Sequence, residues 1–324
     1  MFNTSPPTVI THTLSNGVEM PSLGFGCAFG NWTDKSSNQF FGFQPDLGHF
    51  AISAAIRAGY THFDTAYIYG THKILGSALG GEMVRGRPRS EFFVTTKVFH
   101  PATEIALNKI QKSFDFSDPS LNIKERVLYD FEKCLDELSF GYVDLLLMHW
   151  PGEFNTTDEA VGRERRRQCW QAFEEIYASG RARAIGVSNF QIRHLETLML
   201  DATVAPMVNQ IEISPYMRQA ATVDFCKSNG IHPVAWAPFG SGATGVLEDP
   251  LIVSIAEKYG KNVGQVILRW LIQQDISVLP KSSSEARMRS NLEITDFSLT
   301  DDDMAAISAL DKNLSSVTSA DSIA

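Results

Sequence analysis

Four side chains with acid–base chemistry stand where strand-like segments of this chain run out. His62-Phe63-Asp64 reads as the end of a strand, and Tyr69 follows in the loop. Thr95-Thr96-Lys97 ends another strand in an ammonium, and Leu145-Leu146-Leu147-Met148-His149 ends the next in an imidazole. Ser188 and Asn189 close a further one with two small hydrogen-bonding groups. Taken singly, each has a structural explanation: Asp64 as a helix cap, Tyr69 as a packed aromatic, His149 as a satisfied core residue. A buried lysine, however, is rare unless it is paired. If the strands run parallel and their sheet closes, all four groups meet on one rim. There a carboxylate, a phenol, an ammonium and an imidazole could move a proton to or from a bound oxygen.

The elements that must position them alternate along the chain. Strand patterns fall at 22–26, 61–64, 92–97, 143–149, 184–188, 207–211, 232–236 and 276–280, several of them nearly continuous apolar runs. Such runs suit parallel strands covered on both faces. Between them the spacing is helical: Val127, Phe131, Cys134, Leu135 and Leu138 share one stripe, as do Cys169, Trp170, Phe173, Ile176 and Tyr177. Val266, Ile267, Trp270 and Leu271 form another. Gly59, Gly180 and Gly230 stand where helices should stop. Residues 11–21, with Asn16-Gly17 at their centre, predict a hairpin with a type I′ turn. Alternating β and α elements imply a parallel sheet, and eight strands point to closure into a (β/α)8 TIM barrel. A doubly wound open sheet is the competing architecture, and element order alone does not decide between them.

The 324 residues suit one such domain with long loops at 28–46 and 99–121, both after strands, and a loose tail over 312–324. Two readings of the loops stay open, surface insertion or pocket wall; Phe40-Phe41 favours the wall. A net charge of -9 argues against nucleic acid or anionic membrane as a partner. No apolar run reaches the roughly 18 residues a membrane span needs, and residues 1–10 do not read as a secretory leader. The four cysteines carry no CxxC pairing, which implies reduced thiols and a cytoplasmic setting. No metal site is legible, since the eight histidines show neither HExxH nor zinc-type Cys/His spacing. The glycines at 24, 26 and 30 imitate a dinucleotide fingerprint, but their spacing is one residue too long and no helix pattern follows. A serine-hydrolase elbow is also absent.

The motifs together resemble the aldo-keto reductases. DTAYIYG at 64–70, the TTK ending at Lys97, LLLMHWP at 145–151, IGVSNF at 185–190 and LPKSSSEARMRSN at 279–291 occur in that family's order. The likeness runs from the hairpin to the helix near Leu310, and the long loops after Cys27 and Val98 depart from the common pattern. The resemblance implies a barrel whose bottom the hairpin closes, a monomer, and NADPH-dependent reduction of a small-molecule carbonyl. Asp64, Tyr69, Lys97 and His149 map to the catalytic set, with Tyr69 as proton donor and His149 orienting the substrate oxygen. An effective acid–base group titrates near working pH; moving a phenol down by about 3 units takes about 4 kcal/mol. An ammonium about 4 Å away at an effective dielectric of about 20 supplies that much, so Lys97 is expected to acidify Tyr69 against the opposing effect of burial.

By the same resemblance Ser188, Asn189 and Gln210 grip the nicotinamide amide, and Trp236 stacks on its ring. Phe239 and Ser241 belong to the loop that meets the pyrophosphate. Lys281, Ser282 and Arg287 match the clamp on the adenosine 2′-phosphate, which favours NADP(H), and Asn291 matches an adenine contact. Ser290 stands where the family often carries Glu or Gln. Trp32, Phe99 and Trp150 are expected to line an apolar substrate pocket. The alternative of a different class is an NADPH-binding sensor or regulatory subunit with little turnover; retention of all four catalytic types weighs against it.

Overall fold

The computed structural model describes residues 10–30, 44–99, 121–152, 158–316 and 323. Two strands, β1 (Thr11–Thr13) and β2 (Glu19–Pro21), pair antiparallel as a hairpin. Eight more form one parallel sheet in sequence order: β3 (Phe25–Gly26), β4 (His62–Asp64), β5 (Phe93–Val98), β6 (Val143–Met148), β7 (Ala182–Ser188), β8 (Val208–Glu212), β9 (His232–Trp236) and β10 (Ser277–Leu279). The ends of that sheet also meet. Gly24 N donates to Val278 O at 2.9 Å, Gly26 N to Pro280 O at 3.1 Å, and Val278 N to Ser22 O at 2.7 Å. These bonds join the first strand to the last, so the barrel wins over the open sheet.

Each expected helical stripe is a helix laid on the barrel. They include α1 (Gly48–Ala58), α2 (His72–Val84), α3 (Ile123–Leu138), α4 (Glu159–Ala178), α5 (Ile192–Asp201) and α6 (Ala220–Ser228). Then follow α7 (Pro250–Tyr259), α8 (Val263–Gln273), α9 (Glu285–Leu292) and α10 (Asp301–Ser308). Val127, Phe131, Cys134, Leu135 and Leu138 are all buried on α3, and Val266, Ile267, Trp270 and Leu271 on α8. Gly59, at φ 110°, ends α1 in the left-handed conformation that a Cβ would penalise.

The hairpin caps the end of the barrel where the strands begin. His62, the first residue of β4, spans from Pro21 O (2.9 Å) to Thr95 Oγ1 (3.0 Å). His12 stacks on His232, the first residue of β9, at 3.5 Å between ring centres. Burial, with His12 next, pushes the pKa of His232 down to about 3, so the ring is neutral. The turn departs from expectation. Gly17 has φ 84° but Asn16 is not left-handed, so the two-residue type I′ form is ruled out. Leu14 N bonds Val18 O and Gly17 N bonds Leu14 O, a three-residue loop with glycine in the left-handed place. Asn-Gly alone cannot report loop length, which the Leu14–Val18 pairing sets.

No helix among the described residues is long and apolar enough to cross a membrane. All four cysteines are buried thiols outside any disulfide. The expected lid segments lie mostly outside the described residues, at 31–43 and 100–120.

Candidate active site

Because all eight barrel strands run the same way, their last residues share one rim. Asp64 ends β4, Lys97 lies one residue from the end of β5, His149 follows β6, Ser188 ends β7, and Trp236 ends β9. Tyr69 is carried by a short 3-10 turn, Tyr67–Tyr69, stopped by Gly70 at φ 65°. That turn is pinned from below, where Thr65 Oγ1 and Thr71 Oγ1 meet at 2.9 Å and Thr71 Oγ1 donates to Cys27 O at 3.2 Å. Sequence reasoning missed both threonines. Their signal, two hydroxyls flanking the tyrosine, is too common to stand out.

The structure brings Asp64, Tyr69, Lys97 and His149 together. Lys97, with 0% exposure, donates to Asp64 Oδ1 (2.6 Å), to Thr65 O (3.0 Å) and to the Tyr69 hydroxyl (3.4 Å). Asp64 Oδ2 accepts from Gln210 Nε2 at 2.7 Å. The desolvation of a buried ion pair is offset only when the remaining donors and acceptors are satisfied, which Thr65 and Gln210 do here. On its other side the Tyr69 hydroxyl lies 3.4 Å from His149 Nε2. A phenol between an ammonium and an imidazole can deliver a proton to an oxygen bound beside it.

The electrostatics differ from expectation at Tyr69. Burial, the largest influence, raises its pKa; Lys97 pulls it back, Asp64 pushes it up again, and the net shift is upward. The chain spacing predicted the ammonium but not the extent of desolvation, which outweighs it. Lys97 shows the complementary balance. Burial pulls its pKa down, Asp64 and Tyr69 pull it up more strongly, and it stays charged. His149 is driven well below its usual value by burial and then by Lys97, so it is a neutral imidazole. Its Nδ1 is buried without a hydrogen-bond partner among the described residues. An orphan N–H would be the costlier choice at that position, so the ring proton belongs on Nε2, facing Tyr69.

A cavity of about 1040 Å³ opens beside Asp64, Tyr69 and His149 and runs across the rim. Ser188, Asn189, Gln210, Trp236, Phe239, Ser241, Lys281, Ser282, Arg287 and Asn291 all line it. Asn189 is left-handed at φ 63°, and its amide is fully oriented. Nδ2 donates to His149 O (2.9 Å) and Ser188 Oγ (3.2 Å), while Oδ1 accepts from Trp236 Nε1 (3.0 Å). Ala237 and Ser241 are also left-handed, at φ 47° and 52°. Three non-glycine residues in that region on one cavity wall are strain held by the surrounding fold. On the cavity wall Lys281 is exposed, and partial desolvation lowers its pKa. Neither it nor Arg287 has a carboxylate partner among the described residues, and Arg287 Nε reaches only Ser282 Oγ, at 3.4 Å. Two cations without counter-ions among the described residues, around a serine, could hold a phosphate-like anion.

Of the expected pocket residues, Trp150 lines the cavity. Phe99 packs against the His149 ring, 4.6 Å between centres, and backs it rather than lining the cavity. Trp32 lies outside the described residues. Asn262, Val263 and Gly264, at the start of α8, also line the cavity and were not anticipated. Asn262 and Gln265 do form a capping box, which the sequence could have shown as a helix start. Nothing in it says which way that start faces.

Comparison with known proteins agrees with this architecture. The model of the Aldo/keto reductase family matches residues 28–312. Glyoxal reductase of Bacillus subtilis is 38% identical over 312 residues, 95% of each chain. The 9,11-endoperoxide prostaglandin H2 reductase of Trypanosoma cruzi is 36% identical over 302 residues, 93% of this chain and 91% of its own. A crystal structure of a Bombyx mori aldo-keto reductase in complex with NADP superposes with a TM-score of 0.79 at 30% identity, covering 96% of this chain and 95% of that one. The chain belongs to the aldo/keto reductase family.

Proposed function

We propose that this chain uses NADPH to reduce aldehydes or ketones to alcohols, with Tyr69 giving the proton to the carbonyl oxygen. One observation carries the reading: the Tyr69 hydroxyl stands 3.4 Å from both Lys97 Nζ and His149 Nε2, at the wall of a cavity that Lys281 and Arg287 also line, two cations without a carboxylate partner among the described residues. The lining fits the cofactor. Lys281, Ser282 and Arg287 suit a 2′-phosphate, Asn291 an adenine edge, and Trp236 the face of a nicotinamide ring. Phe239 and Ser241 suit the pyrophosphate, while Ser188, Asn189 and Gln210 suit the amide. When bound, NADPH supplies the hydride.

The protein's own groups supply the rest. Tyr69 keeps its proton at neutral pH, since a phenol ordinarily titrates at about 10 and burial raises it further. As charge builds on a substrate oxygen beside it, that proton is the one available, and Lys97 stabilises the phenolate left behind. Asp64 holds Lys97 in place, and Gln210 holds Asp64. His149, with its proton on Nε2, donates a hydrogen bond to the same oxygen and fixes its position. Ala28, Ile68 and Trp150 line the cavity near Tyr69, which suits an apolar or aromatic carbonyl compound. Phe99, packed behind His149, supports that wall. Four buried thiols outside any disulfide suit a reducing, cytoplasmic setting.

Tyr69→Phe tests the reading. NADPH consumption with an activated aldehyde such as 4-nitrobenzaldehyde should fall by about 10³-fold, while NADPH binding by fluorescence stays intact. Undiminished turnover would remove Tyr69 from the donor role.

A further inference from the structure

The opposite rim of the barrel carries a second cluster of ligand-bearing side chains. His12 on β1, His232 at the start of β9 and Asp275 just before β10 each offer one nitrogen or oxygen, and these atoms lie within 4.8 Å of one another. We propose that these three residues bind a divalent transition-metal ion, Zn2+ being the best match, and that the ion ties the N-terminal hairpin to the barrel floor. Two imidazoles and a carboxylate form a borderline-soft donor set that suits zinc, with water in the fourth position.

His12 Nδ1 and Asp275 Oδ1 are 3.0 Å apart. Ligands each about 2.1 Å from a tetrahedral ion stand about 3.4 Å from one another, so this pair is near ligand spacing already. From 4.8 Å, the third atom must close by at most about 1.4 Å. The two rings stack with 22° between their planes, so no ion can lie in both planes as they stand. His12 is the ring that turns edge-on: it sits on the outer hairpin with its side chain 26% exposed. His232 is the fixed ligand, buried, with Nε2 held by Ser277 Oγ at 2.8 Å. That outer bond leaves Nδ1 with its lone pair toward a ligand, the usual way a metal-binding imidazole is oriented. Asp275, 67% exposed, gives the ion a path from solvent. Lys227, whose ammonium donates to Gln274 O, opposes a cation here, and the charge of Asp275 counters it. The ligands are as much as 263 residues apart in sequence, so no spacing motif could show them.

His232 and Trp236 are the two ends of β9, which places the ion about 13 Å along the strand from the cavity. The site is therefore a structural one, independent of the reductase reading. Calorimetric titration of the chelator-treated full chain with ZnCl2 should show one ion per chain with a micromolar Kd. His12→Asn and Asp275→Asn should each weaken that binding at least about tenfold. Saturating Zn2+ should raise the melting temperature of the parent chain by about 2–4 °C and leave both variants unmoved. Carbonyl reduction should be unchanged in both variants. Co2+ in place of Zn2+ should give visible d–d absorption without a thiolate charge-transfer band, because the buried cysteines are the competing donors. Absence of heat at about 100 µM Zn2+, a thiolate band, or binding that survives both substitutions would each overturn the site.

Discussion

Two lysines serve the site, Lys97 behind Tyr69 and Lys281 on the cavity wall, and they are built in opposite ways. Lys97 is wholly buried, bonded to Asp64, Thr65 O and Tyr69, and its pKa ends above the usual value although burial opposes this. Lys281 faces no carboxylate among the described residues, and partial desolvation acts on it, downward. A cation whose charge is already matched can only act on its neighbours, here the phenol of Tyr69. A cation left unmatched at a cavity wall is a place for an anion to arrive. Some desolvation and a shifted pKa are common to both. What separates the two is whether the counter-charge belongs to the protein.

Breaking the matched end should do the most damage. Lys97→Met should lower the turnover number by about 10³-fold, as loss of a group that supports proton transfer does. It should also cost about 3–5 kcal/mol of stability in urea unfolding, since Asp64 is left buried without its partner. The double variant Asp64→Asn/Lys97→Met should recover much of that stability and none of the turnover. Recovery of both would mean that the pair is only a fold element.

The unmatched end should respond in binding alone. Lys281→Met or Arg287→Met should weaken NADPH by about 10–100-fold, the loss of one charge-assisted contact. Turnover at saturating cofactor should hold, and NADH binding should change little. An equal loss for NADH in fluorescence titration would show that neither cation meets a 2′-phosphate. A pH series sharpens the contrast. Tyr69 must carry its proton to give it away, and burial holds its pKa above the usual value. Reduction should therefore stay level through neutral pH and decline only in strongly alkaline solution. Without Lys97, the one influence pulling that pKa down most strongly is gone, so any alkaline limb should move to higher pH still.

The matched end was the more legible of the two in the sequence, for a physical reason. Strands buried on both faces read as apolar runs, and a charged residue at the end of such a run stands out; Asp64, Lys97 and His149 were found that way. Parallel strands then guarantee a shared rim, so convergence followed from topology. The net effect on Tyr69 did not follow, because spacing reports charges and not the depth of desolvation. The wall made by Asn262, Val263 and Gly264 was hidden too: its capping box marks a helix start, but its direction depends on how α8 packs. The same holds at the other rim, where three distant residues meet only after the barrel closes. The type of turn at Asn16-Gly17 failed because the pairing of Leu14 with Val18, and not the dipeptide, decides the loop.

The smallest effect is the most diagnostic of an unmatched charge. Lys281→Met removes an exposed cation that has no carboxylate partner among the described residues, so the unliganded chain should be as stable as before, within about 0.5 kcal/mol. A ligand that binds only the folded chain raises stability by RT ln(1 + [L]/Kd), about 1.4 kcal/mol at ten times Kd. Adenosine 2′-monophosphate should therefore raise the melting temperature of the parent chain by about 2–4 °C under such conditions. It should do much less for Lys281→Met, whereas Lys97→Met, destabilised from the start, should keep the full increment. If both lysine variants lost the ligand's effect equally, the two ends of the cavity would not be separable. The division between a charge that acts and a charge that waits would then be wrong.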